Sequence, residues 1–203
     1  MTELILGALS LVLLSTQLPA AFLLLARLLR GARRQPPIQP HQLAQPAAAS
    51  VSVVVPTLNE AHRVEPCLVG LCAQGEAVRE ILVIDSHSTD GTQAVVEAIA
   101  KQDSRIRLVS DDPLPPDWVG RPWALHTGFL RSHALSDWIL GIDADTQPQP
   151  GLIDSLLYEA NRHRYDMVSL SPKFILKSVG EWWLQPAMLM TLIYRFDSAG
   201  VQT

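Results

Sequence analysis

Short apolar runs, each cut off by a cluster of acidic and hydroxyl side chains, constrain this chain more than any other feature. Val51 to Val55 is a valine-rich run stopped by Pro56, Ile81 to Ile84 is stopped by Asp85-Ser86-His87, and Trp138 to Ile142 is stopped by Asp143. Runs of this kind leave no polar face along their length, so they read as buried strands of a parallel sheet. Between them the apolar spacing turns helical. Val64, Leu68, Leu71 and Cys72 recur through Glu60 to Ala73, Asp90-Gly91-Thr92 opens a helix over Gln93 to Lys101, and Trp123 to His133 and Gly151 to His163 read as further helices. Ile106 to Val109 is a third apolar run, which makes Trp138 to Ile142 the fourth strand, and Met167 to Leu170 reads as a fifth. The alternation predicts an α/β domain with a mostly parallel sheet and right-handed crossovers, whose ligands bind at the carboxyl ends of the strands.

The 203 residues hold one such domain and an additional apolar segment, but not two domains. That segment is Leu4 to Ala26, which has no charged side chain and is long enough to cross a hydrocarbon core about 30 Å thick. A cleaved signal peptide would carry positive charge ahead of the run, whereas here Glu3 precedes it and Arg27, Arg30, Arg33 and Arg34 follow. The charge asymmetry favours a retained single-pass anchor over residues 4–29, with everything after Arg34 in the cytoplasm. Residues 30–50 carry Pro36, Pro37, Pro40 and Pro46 among Gln and Ala and read as an extended linker. With a net charge of -4 and no basic stripe interleaved with aromatics, nucleic acid is not an expected partner. Cys67 and Cys72 match neither a redox pair nor half of a zinc site and read as plain thiols in a reducing compartment.

Chemistry is expected where polar clusters follow strands. Pro56-Thr57-Leu58-Asn59-Glu60 follows the first run and Asp85-Ser86-His87-Ser88-Thr89-Asp90-Gly91-Thr92 the second. Neither holds the glycine pattern of a dinucleotide fingerprint or a P-loop. One reading makes both plain strand-to-helix turns with Asn59 and Asp90 as helix caps. Gly141-Ile142-Asp143-Ala144-Asp145-Thr146 is the third cluster. Two carboxylates two residues apart at a strand end can both approach one hard divalent cation, although an isolated Asp-x-Asp reads first as a structural turn.

Taken together, the three clusters resemble the family-2 glycosyltransferases in order and spacing over about Ser50 to Asp166. The resemblance implies the GT-A fold, a nucleoside-diphosphate sugar donor and a Mg or Mn ion. Carried over position by position, it implies donor contacts from Pro56, Thr57, Asn59, Glu60, Asp85, Ser88 and Asp90. Asp143, Ala144 and Asp145 would handle the diphosphate, with Asp143 and Asp145 on the metal. The stretch Pro115 to Gly128, with Trp118-Val119-Gly120-Arg121-Pro122-Trp123-Ala124 at its centre, is similar to members that glycosylate lipids such as carotenoids or hopanoids. Arg121 stands where those members carry Lys, and its guanidinium can still neutralise a phosphate, though with different geometry. Ser86 and His126 also depart from the commoner Asp and Asn; His87 and His126 read as unspecialised polar residues.

Downstream, residues 179–203 include Glu181-Trp182-Trp183-Leu184 and continue apolar to Tyr194, too short for a comfortable span; the segment reads either as a buried helix of the core or as an interfacial helix, where a lipid acceptor would be met. Inverting transfer requires a base for the acceptor hydroxyl. The resemblance places that base in an acidic motif well after the Asp-x-Asp, and Asp166, Glu181 and Asp197 do not match it. The base and the acceptor half of the fold are therefore expected beyond Thr203 or on a partner chain. The expected activity is metal-dependent, inverting sugar transfer to a lipid or lipid-linked acceptor. The alternatives are a sugar-nucleotide-binding fragment or subunit without turnover, and a nucleotidyltransferase, whose Gly-rich loop is not found after the first run.

Overall fold

The first apolar run continues as a strand through Pro56, so that β1 spans Val51–Thr57 in the computed structural model, which describes residues 2–31, 37–40 and 49–195. Proline is tolerated in this central strand because its neighbour has already ended. The last ladder position beside β4 is Val54 opposite Gly141, and Ile142 N donates to Val54 O at 3.0 Å. Pro56, two residues on, faces the same side past the end of that ladder, where no N–H is needed.

The sheet has four parallel strands in the order β3-β2-β1-β4, with β2 at Val78–Asp85, β3 at Ile106–Ser110 and β4 at Trp138–Gly141. Both faces are covered. Val53, Val55, Ile81 and Val83 pack with residues of α2 (Val64–Cys72), α3 (Thr92–Ala100) and α5 (Leu152–His163), while Val54, Leu82 and Ile84 pack with Ala124 of α4 (Gly120–Arg131). This double cover is why the strands read as continuous apolar runs. Contact on the α4 face is close: a Cβ at Gly128 would stand 2.2 Å from Val54 Cγ1.

Two helices start away from their expected positions, and proline accounts for both. A helix from Glu60 would need an N–H from Pro66, so Glu60 to Arg63 form a turn and α2 begins at Val64, placing Pro66 in its first turn. Likewise α4 begins at Gly120 and holds Pro122 in its first turn. The predicted fifth strand at Met167 to Leu170 is absent: these residues have no ladder partner, and Met167 is exposed. Strand propensity over four residues does not make a strand without a neighbour.

The chain divides into two compact units, Ile38–Pro172 and a second made of Met1–Pro37 with Lys173–Thr203. In the second, α1 (Thr2–Gly31) contains a stretch, Ile5–Arg27, long and apolar enough to cross a membrane. Its hydroxyls fold back onto the helix, Ser15 Oγ to Val12 O at 2.8 Å and Thr16 Oγ1 to Leu13 O at 2.9 Å. Helix α6 (Val179–Arg195) packs beside α1 and opens with a reciprocal cap, in which Glu181 N donates to Ser178 Oγ and Glu181 Oε2 accepts from Ser178 N. Trp182, Trp183, Leu184 and Met188 are exposed on it. Most of the expected linker, at 32–36 and 41–48, and the chain end with Asp197, at 196–203, lie outside the described residues.

Candidate active site

The strand order locates the site. From β1 the chain moves outward to β2 and then β3, whereas β4 is added on the other side of β1. The direction of winding therefore reverses between β1 and β4, and open parallel sheets bind ligands in the crevice outside the carboxyl ends at such a reversal. Thr57 at the end of β1 and Asp143-Ala144-Asp145 just after β4 flank that crevice, with Asp85 at the end of β2 beside them.

The loops after β1 and β2 are bonded into one another. Thr57, buried at the last ladder position opposite Asp85, donates its hydroxyl to Ile84 O and to Asp85 Oδ1, each at 3.2 Å. Asp85 Oδ2 accepts from Ser88 N at 3.0 Å and from Gln93 Nε2 at 2.7 Å, so this buried carboxylate is held by three hydrogen bonds. Asn59 is in the left-handed region at φ 56°, its N–H bonded to Ser88 Oγ at 2.9 Å and its Oδ1 accepting from Thr89 N at 2.9 Å. It does not cap α2, which starts five residues further on, at Val64. Glu60 N donates to Thr92 Oγ1 at 2.8 Å, and its carboxylate pairs with Arg63.

Asp90 precedes the cap of α3 rather than forming it; Gly91, at φ 94°, takes the cap position in a conformation that a side chain would strain. The Asp90 carboxylate accepts from Thr92 N, Thr92 Oγ1 and Ala61 N, and these bonds, the Thr92 hydroxyl first, hold it below the usual carboxylate range. Asn59, Ser88 and Asp90 thus brace the two loops together, while Thr57 and Asp85 form the buried floor between them.

On the β4 side, Asp143 to Thr146 form a tight turn closed by Thr146 N and Thr146 Oγ1 on Asp143 O, at 3.1 and 2.7 Å. Ala144 is buried in the core, while the side chains beside it reach solvent. The Asp143 carboxylate is paired with Arg121 of α4, and that of Asp145 makes no hydrogen bond or ion pair among the described residues. Cys67 of α2 lies beneath, its Sγ 3.6 Å from Asp143 O and 3.7 Å from Thr146 Oγ1. Burial, together with the Asp145 charge, outweighs the bond to Thr146 and pushes the Cys67 thiol up to about 11, so it is protonated at neutral pH.

Two accessible carboxylates on a fixed turn suit Mg or Mn. These hard cations take oxygen ligands, and Mg usually keeps several waters, being held by one or two carboxylates plus substrate phosphates rather than by an all-protein cage. No group of three or more His, Cys, Asp or Glu side chains arranged for a metal occurs among the described residues.

Several participants carry no sequence signal. Gln93 reaches Asp85 only because α3 begins where it does, and Ser86 donates to Asp111 Oδ2 at 2.6 Å across two loops. His87, at φ 62°, pairs with Asp112. Trp118, Trp123 and His126 form an aromatic cluster around the start of α4, with Trp118 stacked on His126 at 4.9 Å and Trp123 Nε1 bonded to Asp111 O. In the sequence this segment stands out through its resemblance to lipid-directed members over Pro115 to Gly128, whereas the packing of its rings on one another carries no signal.

The chain is similar to known glycosyltransferases. The chain is 26% identical over 146 residues to the 4,4'-diaponeurosporenoate glycosyltransferase of Staphylococcus haemolyticus, covering 71% of this chain and 37% of that protein. It is 34% identical over 122 residues to the undecaprenyl-phosphate 4-deoxy-4-formamido-L-arabinose transferase of Sodalis glossinidius, covering 58% and 35%. The chain thus spans little more than a third of the length of these curated relatives. Among solved structures it is similar to a mannosyltransferase of Pyrobaculum calidifontis in complex with GDP-Man and Mn2+, at 27% identity and a TM-score of 0.49, covering 68% of this chain and 39% of that one. Residues 52–202 match the family described as Glycosyl transferase family 2, and the chain belongs to that family.

Proposed function

We propose that residues 51–178 bind a nucleoside-diphosphate sugar at the β1/β4 crevice and serve its metal-dependent transfer, with inversion, to a lipid or lipid-linked acceptor. The observation that carries the proposal is the meeting of Arg121 and the Asp143-Ala144-Asp145 turn at the winding reversal of the sheet, beside the Thr57–Asp85 floor. On this reading the base and ribose lie over the loops after β1 and β2, where Asp85 is held rigid by its three bonds. Asn59, Glu60, Ser88 and Asp90 act mainly by fixing the shape of those loops, and Pro56 ends the floor of the crevice.

The obstacle to transfer is the negative charge that grows on the departing diphosphate. Asp143 and Asp145 would hold a Mg or Mn ion, which supplies Lewis-acid stabilisation of that charge when bound. Arg121 stands at the start of α4, close enough to reach Asp143, and its guanidinium adds a second fixed cation on the same side. The backbone of the turn is set by its own hydrogen bonds, so the carboxylates need little reorganisation as charge develops.

The acceptor class rests on the relatives named for a carotenoid acid and for undecaprenyl phosphate, together with α1 and the exposed tryptophans of α6. A single-pass anchor with the catalytic domain on the cytoplasmic side fits both the arginines after α1 and a soluble nucleotide-activated donor. Incubation of the chain with radiolabelled UDP- and GDP-sugars, Mn(II) and membranes able to supply the base and the acceptor half tests the proposal: label binds the chain and moves into the lipid phase if it is right. Donor binding with no transfer to lipid from any donor would instead make this a sugar-nucleotide-binding subunit.

A further inference from the structure

We propose that α2 sets the geometry of the Asp143–Asp145 turn, with Cys67, Gly70 and Gln74 as positioning residues for the metal; the inference rests on the assignment of a divalent cation to those carboxylates. The three positions are spaced three and four residues apart and therefore share one side of the helix and its C-terminal extension. Each meets a successive part of the segment from Asp143 to Ile153.

Cys67, fully buried, lies against the closing bonds of the turn, its Sγ at 3.6 Å from Asp143 O and 3.7 Å from Thr146 Oγ1. At Gly70 the two segments touch backbone to backbone: a Cβ there would stand 2.5 Å from Pro148 O and 3.0 Å from Pro148 Cδ. Any side chain at position 70 must push the loop outward. Gln74, buried just past the end of α2, donates from Nε2 to Gly70 O at 2.8 Å and to Gln149 O at 3.0 Å, and accepts from Ile153 N at 3.3 Å. One side chain thus ties the end of α2 to the loop and to the start of α5.

The reach of these contacts is what assigns the role. The carboxylates are accessible, but the backbone carrying them is fixed at one end by the ladder to β1 and over the next eight positions by α2. A metal site with only two protein carboxylates depends on their separation, and outer residues that hold ligands in place affect metal affinity strongly. Residues buried on α2 therefore control a property read at the surface of the crevice.

The test uses the full chain in detergent, titrated with Mn(II) in the presence of UDP and, separately, GDP, with free Mn(II) counted from its EPR signal. Gly70→Ala and Cys67→Ala are each expected to weaken Mn(II) uptake by about ten-fold, the lower end for outer-shell residues of metal sites. Cys67→Ser, which keeps a donor on the turn, recovers most of the loss. Far-UV circular dichroism and nucleotide affinity without metal stay at wild-type values, which separates positioning from general destabilisation. Should Gly70→Ala fail to fold, the Cys67 pair decides. Wild-type Mn(II) affinity in Cys67→Ala, with uptake lost in Asp143→Ala, overturns the positioning role alone. Wild-type uptake in Asp143→Ala, or no uptake by the unaltered chain with either nucleotide, overturns the metal assignment and this inference with it.

Discussion

Replacing Glu80 by alanine should destabilise the domain without touching the crevice. Glu80 lies near the start of β2, at the opposite end of the strand from Asp85, and is 6% exposed. Its Oε1 accepts from Ser52 Oγ at 2.7 Å and from His133 N at 2.5 Å, and Oε2 pairs with Arg107 at 3.0 Å. The bond to His133 fixes the chain just past the end of α4. Removing the carboxylate frees that N–H, while Ser52 Oγ can turn fully to Ser136 Oγ, already at 2.8 Å. His133 is exposed, so its freed N–H can turn to water, and the cost is that of a lost hydrogen bond to a charged acceptor, about 1.5–3 kcal/mol. The Arg107 pair adds at most about 1 kcal/mol, because the arginine side chain is 54% exposed. The expected loss for Glu80→Ala is therefore about 2–3 kcal/mol, and for Glu80→Gln, which keeps an acceptor at Oε1, about 1 kcal/mol.

The pH dependence has a definite sign. Burial pushes the Glu80 carboxyl up, but the bonds from Ser52, His133 N and Arg107 together push it further down, so its folded value lies below the ordinary one. Its stabilisation is complete above the unfolded value of about 4.3 and is lost as pH falls through the folded value. The gap between the wild type and Glu80→Gln should accordingly close as pH drops below about 4. Urea unfolding of the full chain in detergent, followed by tryptophan fluorescence at several pH values, measures both effects. A Glu80→Ala midpoint equal to the wild type, or a gap that widens on acidification, would refute the reasoning.

Three further outcomes are expected. Gly128→Ala places a methyl group 2.2 Å from Val54 Cγ1 and must lift α4 from β1, lowering stability by about 2–3 kcal/mol and the thermal midpoint with it. Gly91→Ala, at φ 94° with open space around the added Cβ, should cost about 1–2 kcal/mol from backbone conformation alone, seen as a shifted urea midpoint. Arg121→Ala should weaken UDP binding by about 1–2 kcal/mol in calorimetry while leaving uridine binding unchanged, with Arg121→Lys intermediate.

The parallel sheet and its helices were legible in the sequence because burial on both faces leaves a signature in the strands themselves, as in Val51 to Val55 and Ile81 to Ile84. Boundaries were less so. Pro56 stops a strand only if a neighbour still needs its N–H, and the end of β4 at Gly141 is a tertiary fact. Met167 to Leu170 has strand composition but no partner to pair with. In the site, Thr57, Asp85, Asp143 and Asp145 were readable because each stands where an apolar run ends. Gln93, Asp111, Cys67 and Gly70 were not, because their partners lie on other elements and only the fold brings them together. Asn59 and Asp90 were readable as polar loop residues, yet their bonds run from loop to loop and not to a helix end.

Titration calorimetry of UDP and GDP into the full chain, with and without Mn(II), tests the central claim most directly when the wild type is set beside an Asp143→Ala, Asp145→Ala double variant. The account predicts that one of the two nucleotides binds the wild type in a Mn(II)-dependent manner and that the metal dependence disappears in the variant. Identical binding by both proteins, with or without Mn(II), would contradict it.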